Sequence, residues 1–208
     1  MTELQYLDAG LGCSWDATLV EPLADLNAEI LEAYAGGAPD LQALWQPLSG
    51  ASRQLLARCP YLLADAGFAQ TERWEGLPAA VHDAAAADLP RPPQAVGRAP
   101  FTTPLIRRVL VFAWHLARAR PLAARIALGM SSACAARVAG CRLADLEALA
   151  EQRPAWIRVR WHDRPELWRA WLRAAGQGSS GALLRLQLWG LQSLAAAMVE
   201  RAAAHGQR

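Results

Sequence analysis

The stretch LGMSSACAARVAGCRLADLEALAEQRPAWIRVRWHDRPELWRAWLR, residues 128–173, decides the fold because turn signals, helix caps and apolar spacing agree over four successive elements. Ser131 or Ser132 can cap a short helix, and Gly140 is placed to end that helix in the left-handed conformation. Leucines at helical spacing then predict a second helix over residues 143–152, which a proline stops.

The apolar period changes from helical to alternating in AWIRVRW, residues 155–161. This alternation is typical of a half-buried strand with one apolar and one basic side. We expect the basic pair, Arg158 and Arg160, to point outward at a spacing of about 7 Å. The apolar side, expected in the core or a dimer interface, consists of Ile157, Val159 and Trp161.

A further helix is predicted directly after this strand. Asp163 and Glu166 have the spacing of a capping box, with Pro165 between them. Trp168 and Trp171 lie one turn apart in this helix, so we expect them to fill the core or a dimer interface. An exposed aromatic platform for bases or a ligand is the alternative interpretation.

The two helices before the strand fit two interpretations. Ala136 and Gly140 have the spacing of a helix-turn-helix, which would make residues 142–150 a recognition helix. Asp145 and Glu147, at positions expected to be exposed, would repel phosphate there. A structural helical hairpin is therefore favoured over direct DNA contact.

A family resemblance covers roughly residues 105–198. The strings that carry it are LVFAWHLARARPLAARIALGM, RLADLEALAEQ, IRVRWHD and ALLRLQLWGLQSL. Their order and spacing resemble FlhD, the flagellar master transcriptional regulator subunit. The resemblance implies an all-helical homodimer that regulates transcription with a partner subunit rather than by reading DNA alone. The first hundred residues and the tryptophans lie outside this resemblance.

The net charge of +2 conceals a separation of charge along the chain. Up to Pro90 there are three arginines against thirteen acids, and from Arg91 there are eighteen arginines against six acids. Either the two halves attract each other, or the basic half meets an acidic partner or nucleic acid. The arginines expected to bind a partner or nucleic acid are Arg158, Arg160, Arg164, Arg169 and Arg173. If the acidic half folds back on the basic half, removing residues 1–90 is expected to unmask these arginines and raise the non-specific affinity for DNA.

The chain divides into three parts by composition. Residues 1–90 are an acidic helical region, residues 91–104 a proline-rich linker, and residues 105–208 a basic helical FlhD-like domain. In the first part we expect a helix with Pro22 in its first turn, a second capped by Asp40 and a third over residues 51–58. CPYLLADAGF, residues 59–68, fits either a helical turn or a short buried strand. The predicted fold class is mainly α, a multi-helix protein with one short strand or β-ribbon in the C-terminal half.

The residues suggest no catalytic, cofactor or metal site. The four cysteines lack CxxC spacing, so buried or free thiols in a reducing compartment are expected rather than zinc or disulfides. The four histidines are scattered, and His162 after the strand is the best enzymatic candidate. The first ten residues lack the features of a signal peptide, and residues 182–199 contain polar side chains that favour a buried helix over a membrane span.

The sequence therefore predicts a cytoplasmic, non-enzymatic regulatory or interaction protein that acts with a partner. We expect a homodimer, because the strand at 155–161 needs a second strand and could pair with its own copy. We expect DNA to be contacted only weakly or through a partner, and no membrane contact. One alternative is a small-molecule-binding or enzymatic domain with a pocket between the halves, using His162 and Trp161. Another is an adaptor or chaperone of a secreted or flagellar partner.

Overall fold

The computed structural model describes residues 17–77 and 101–205. In these ranges the chain forms ten α-helices and one pair of very short strands, which confirms the prediction of a mainly α fold. Most of the predicted linker at 91–104, Cys13 and His82 lie outside the described residues. The helices are α1 Ala17–Ala35, α2 Pro39–Trp45, α3 Gly50–Ala57, α4 Thr71–Glu75, α5 Thr103–Ala119, α6 Pro121–Leu128, α7 Ser132–Gly140, α8 Leu143–Gln152, α9 Pro165–Gly176 and α10 Ser180–His205.

Local signals place several helix ends correctly. Ser131 is the N-cap of α7, and its hydroxyl accepts a hydrogen bond of 3.0 Å from the Cys134 amide. α8 spans the predicted residues 143–152, and its buried Leu146 and Leu149 form the apolar side. Pro104 lies in the first turn of α5, where the proline nitrogen needs no hydrogen-bond partner.

Four predicted end signals are wrong. Pro22 lies inside α1 rather than in its first turn, and Gly140 is the last residue of α7 without a left-handed conformation. Asp40 does not cap α2, and no capping box forms before α9. Both of these helices begin with a proline, Pro39 or Pro165, whose fixed φ and missing N–H reduce the need for a side-chain cap.

A left-handed glycine does end α6. Gly129 has φ 66°, and its backbone N–H donates to the Arg125 carbonyl. A Cβ at this position would lie 3.2 Å from Leu194 Cδ2 of α10. Glycine therefore provides both the turn between α6 and α7 and the close approach of α10.

The predicted strand at 155–161 is reduced to two residues. Pro154–Trp156 forms a 3-10 turn, and β2, Arg158–Val159, pairs antiparallel with β1, Ala64–Asp65. Ala64 pairs with Val159 and Asp65 with Arg158. The segment 59–68, left open between turn and strand, thus supplies the partner strand. The predicted pairing of this strand with its own copy is wrong, because a partner lies in the same chain.

Both halves of the chain contribute to one hydrophobic cluster of the described residues. The strand pair joins the halves, α1 packs on α5, and α9 packs on α2 and α3. Ile157, Val159, Trp168 and Trp171 are buried in this cluster, as predicted. The acidic half is therefore part of the core, not a removable cover over the basic half.

Ion pairs connect the oppositely charged halves. Arg169 lies 3.0 Å from Asp40, Arg137 lies 3.1 Å from Glu75, and Arg108 contacts Glu29. These exposed pairs each contribute at most about 1 kcal/mol, so their effect is mainly on orientation. They support the interpretation that the charge separation draws the two halves together.

Candidate interaction surfaces

Arg160, predicted to point outward, is buried with only 9% of its surface exposed. Its Nε donates to the Leu62 carbonyl at 2.7 Å and its Nη2 to the Leu128 carbonyl at 2.6 Å. Burial lowers the pKa of this guanidinium, and Asp65, 3.9 Å away, opposes that shift. The expectation of an exposed Arg160 is wrong because the backbone carbonyls on the basic side of the strand draw the side chain inward.

The other predicted arginines do not form one binding set with Arg160. Arg169 is held by Asp40 across the two halves, and Arg164 lies over the Trp189 ring at 5.8 Å. Arg173 is exposed, and Arg158 is half-buried in β2. The five predicted arginines thus lie near one another in sequence but in different environments.

Trp161 belongs to an aromatic cluster whose rings contact one another directly. Its ring centre lies 5.6 Å from Tyr61, 5.8 Å from Trp171 and 5.7 Å from Trp189. Trp161 also has φ 50°, a conformation that is costly for a bulky side chain and that reverses the chain after β2. Because the rings contact each other directly, this cluster fits a packing role better than a ligand platform.

His162, the best enzymatic candidate from the sequence, is exposed beside this cluster. A hollow of about 360 Å³ does lie between the two halves, but His162 is not among its lining residues. Asp145 lies there and is 5% exposed, held by Arg142 at 2.8 and 2.9 Å. The expectation that Asp145 is exposed on a recognition helix is therefore wrong, and the helical hairpin remains the favoured interpretation.

The apolar side of α10 is the largest departure from the expected burial. Only three of the residues 180–199 are buried, although this stretch is long and apolar enough to cross a membrane. Leu183, Gly190 and Leu194 pack against the rest of the molecule, whereas Leu184 and Leu188 are 42% and 40% exposed. The expectation of a buried helix here is wrong, because only one side of α10 meets the core.

A set of exposed or half-buried apolar side chains on α10 follows a regular spacing, and its Leu191 also contacts the core. The steps alternate between four and three residues, the spacing of a heptad seam. We call this set the α10 seam; it consists of Leu184, Leu188, Leu191, Ala195 and Met198. Arg185 is the only charged residue between 180 and 199.

A second surface lies where α5, α6 and α7 meet. The axes of α6 and α7 are bent by 112° relative to each other, which opens a groove of about 770 Å³. Together α6 and α7 also have the length and composition of a bent membrane span. We call this hollow the α5–α7 groove; it is lined by Ala117, Arg118, Pro121, Leu122, Arg125, Ser132, Ala135, Ala136, Ala139 and Gly140.

Sequence reasoning missed two polar residues, Asn27 and Arg73, that connect parts of the fold far apart along the chain. Buried Asn27 donates to the Tyr61 carbonyl at 2.9 Å and accepts from the Leu63 amide at 2.9 Å. Arg73 stacks on Trp156 at 4.0 Å, and burial lowers the pKa of Arg73 to about 10. A polar residue on the apolar side of a helix, such as Asn27, is the one signal that could have been used.

The thiols and metal-ligating groups offer no further site in the described ranges. Cys59 and Cys134 are buried and Cys141 is half-buried, all as free thiols. Burial raises the pKa of both buried thiols to about 12, which keeps them protonated. No group of three His, Cys, Asp or Glu side chains lies close enough to share a metal ion among residues 17–77 and 101–205.

Comparison with known proteins gives no relative from which a role could be taken. No protein-family model, no curated protein and no solved structure matches the chain.

Proposed function

We propose that this protein is a non-enzymatic regulatory or interaction protein that forms a homodimer through the α10 seam and acts with a second protein. The observation that carries the proposal is the exposure of a regularly spaced apolar side on a helix of 26 residues. Large exposed apolar patches mark interaction sites, and homodimer interfaces are more apolar than other protein surfaces.

The α10 seam suits another helix better than a lipid surface. Interfacial membrane helices have one strongly charged side, whereas α10 is apolar nearly all round, with a single arginine between 180 and 199. A membrane span is disfavoured because Leu183, Gly190 and Leu194 pack against the core. A heptad seam without like charges can pair with its own copy without repulsion.

The FlhD-like order of elements over roughly residues 105–198 extends the proposal to transcription. On this hypothesis the dimer is a cytoplasmic subunit of a regulator, and DNA is contacted weakly or through a second regulatory protein. Pull-down from extract of the native cell, with and without nuclease, tests this part. We expect the same protein partner to be captured in both conditions, and capture that depends on nucleic acid would contradict it.

Sedimentation velocity tests the homodimer. We expect the intact chain to sediment as a dimer at tens of micromolar and the Leu184→Glu/Leu188→Glu variant as a folded monomer, because two carboxylates would meet their copies across the seam. Leu55→Glu/Leu143→Glu is a matched control, since these leucines are equally exposed, at 41% and 42%, on other helices. A monomeric wild-type protein that binds lipid vesicles would instead favour a membrane surface and overturn the proposal.

A further inference from the structure

The α5–α7 groove has an apolar floor built from small side chains. Ala136 and Gly140 lie on the exposed side of α7, and a Cβ on Gly140 would meet no atom within 4 Å. Leu122 of α6 stands at the groove with 49% of its surface exposed. Small residues on a helix allow a second helix to approach closely, and an open groove with an exposed leucine can bury that helix's apolar side.

Two arginines line the groove without acidic partners among the described residues. Arg118 is held over the Trp114 ring at 4.7 Å, and Arg125 is exposed on α6. Neighbouring arginines behave differently: Arg107 pairs with Glu151 at 2.8 Å, and Arg137 pairs with Glu75 at 3.1 Å. The guanidinium groups at the groove are thus available to carboxylates from outside the described part of the chain.

We propose that the α5–α7 groove binds an acidic amphipathic helix of a partner protein. The apolar side of that helix lies on Ala136, Gly140 and Leu122, and its carboxylates meet Arg118 and Arg125. This inference deepens the proposed function and rests on it in one respect, that the chain acts with a second protein. No residue of the α10 seam lines the groove, so the homodimer and the partner helix use separate surfaces.

A pair of synthetic helical peptides of about four turns tests the groove. One carries leucines at positions i, i+4 and i+7 with flanking glutamates, and the other has lysine in place of every glutamate. Fluorescence anisotropy with the full-length protein should show saturable binding of the acidic peptide that weakens as salt is raised. The lysine peptide should bind at least about tenfold more weakly.

Variants assign the binding to the groove. Arg118→Glu/Arg125→Glu should weaken binding of the acidic peptide by about tenfold or more, because attraction becomes repulsion. Gly140→Leu should also weaken it by filling the floor, and it leaves the fold intact because a Cβ there meets open space. Arg58→Glu/Arg107→Glu makes the same change of net charge at exposed arginines that do not line the groove, and it should bind like wild type.

The inference would be overturned if the acidic and lysine peptides bound equally, if the groove variants bound like wild type, or if dodecanoate saturated the groove while both peptides failed to bind. The last result would identify a site for small carboxylate amphiphiles. The Leu184→Glu/Leu188→Glu variant separates this inference from the homodimer: it should still bind the acidic peptide, and loss of binding there would place the peptide on α10 instead.

Discussion

At the scale of single residues, Arg160 connects three parts of the fold. Its side chain donates to carbonyls before β1 and at the end of α6, its amide donates to the Leu63 carbonyl at 2.8 Å, and its carbonyl accepts from Trp168 of α9 at 3.1 Å. A buried guanidinium is stable only when it is so well hydrogen-bonded. Arg160 therefore stabilises the junction between the two halves of the chain.

Replacing Arg160 by alanine should lower the free energy of unfolding by about 3 kcal/mol, because two buried carbonyls lose their donor. Arg160→Lys should recover only part of this loss, since one ammonium lacks the planar fork of donors. Urea denaturation of both variants measures the effect. The half-buried Arg158 is the matched control, and an equal loss in Arg158→Ala and Arg160→Ala would contradict the assigned role.

The buried thiols predict a loss of stability at alkaline pH. Burial raises the pKa of Cys59 to about 12 from 9.0, so the folded state keeps a proton that the unfolded state releases. The corresponding stabilisation is complete below pH 9 and is lost as the pH rises towards 12. Urea denaturation at pH 8 and pH 10.5 should therefore show a smaller decline for Cys59→Ala than for wild type.

A non-titrating core variant controls for the general cost of removing buried atoms. Val138→Ala removes buried apolar atoms without removing a titrating group, so it should lose stability at both pH values but decline with pH as wild type does. Parallel declines in Cys59→Ala and Val138→Ala would show that Cys59 does not contribute to the alkaline loss.

At the scale of elements, α10 is positioned by one close contact. Gly190 lies against the Tyr61 phenol so closely that a Cβ would overlap its hydroxyl and ring atoms. The Tyr61 hydroxyl has no hydrogen-bond partner of ordinary geometry among the described residues. The tyrosine is fully buried and cannot move aside, so the contact fixes which side of α10 remains exposed.

Gly190→Ala should destabilise the protein by about 2 kcal/mol, although alanine favours a helix over glycine by roughly 1 kcal/mol. Gly181→Ala in the same helix is the matched control, because its Cβ meets only Arg185 at 3.8 Å, and it should be neutral or stabilising. Thermal unfolding distinguishes them. Equal midpoints for both variants would show that Tyr61 does not pack against α10 as described.

Helices and strands could be predicted where their signals lie within their own sequence. α8 depends on apolar spacing within its own sequence and on the proline that follows it, so its bounds and its buried Leu146 and Leu149 were predicted. The partner of β2 was not, because Ala64 and Val159 are far apart along the chain and two-residue strands carry almost no periodicity. Alternation placed Ile157 and Val159 inward but failed for Arg160, whose direction depends on carbonyls of Leu62 and Leu128.

At the scale of the whole molecule, the two oppositely charged halves share one core. Removing residues 1–90 would expose the apolar sides of α5 and α9 and leave β2 without its partner. We expect a fragment of residues 91–208 to unfold without cooperativity, because its remaining core is too small. Circular dichroism during urea titration measures this, and a sigmoidal transition like that of the intact chain would contradict it.

The α10 seam and the α5–α7 groove depend on how the helices pack in the whole molecule, so the sequence did not predict them. Composition identified an apolar stretch at 182–199, but a buried helix and a helix with one exposed side have the same composition when the whole helix is apolar. The α5–α7 groove depends on the bend between α6 and α7, and Arg118 and Arg125 are ordinary arginines in sequence. Charge segregation suggested an acidic partner, but it did not indicate which arginines remain free of the other half.

Site-specific photocrosslinking tests the central claim, that copies of this chain associate through the α10 seam. A photoreactive amino acid would replace exposed Gln192, which adjoins the seam. The control would place it at exposed Arg58, the residue that follows α3. We predict a covalent dimer from position 192 alone, which disappears in the Leu184→Glu/Leu188→Glu background. Equal crosslinking from positions 192 and 58, or none from 192 at concentrations where the protein sediments as a dimer, would contradict the claim.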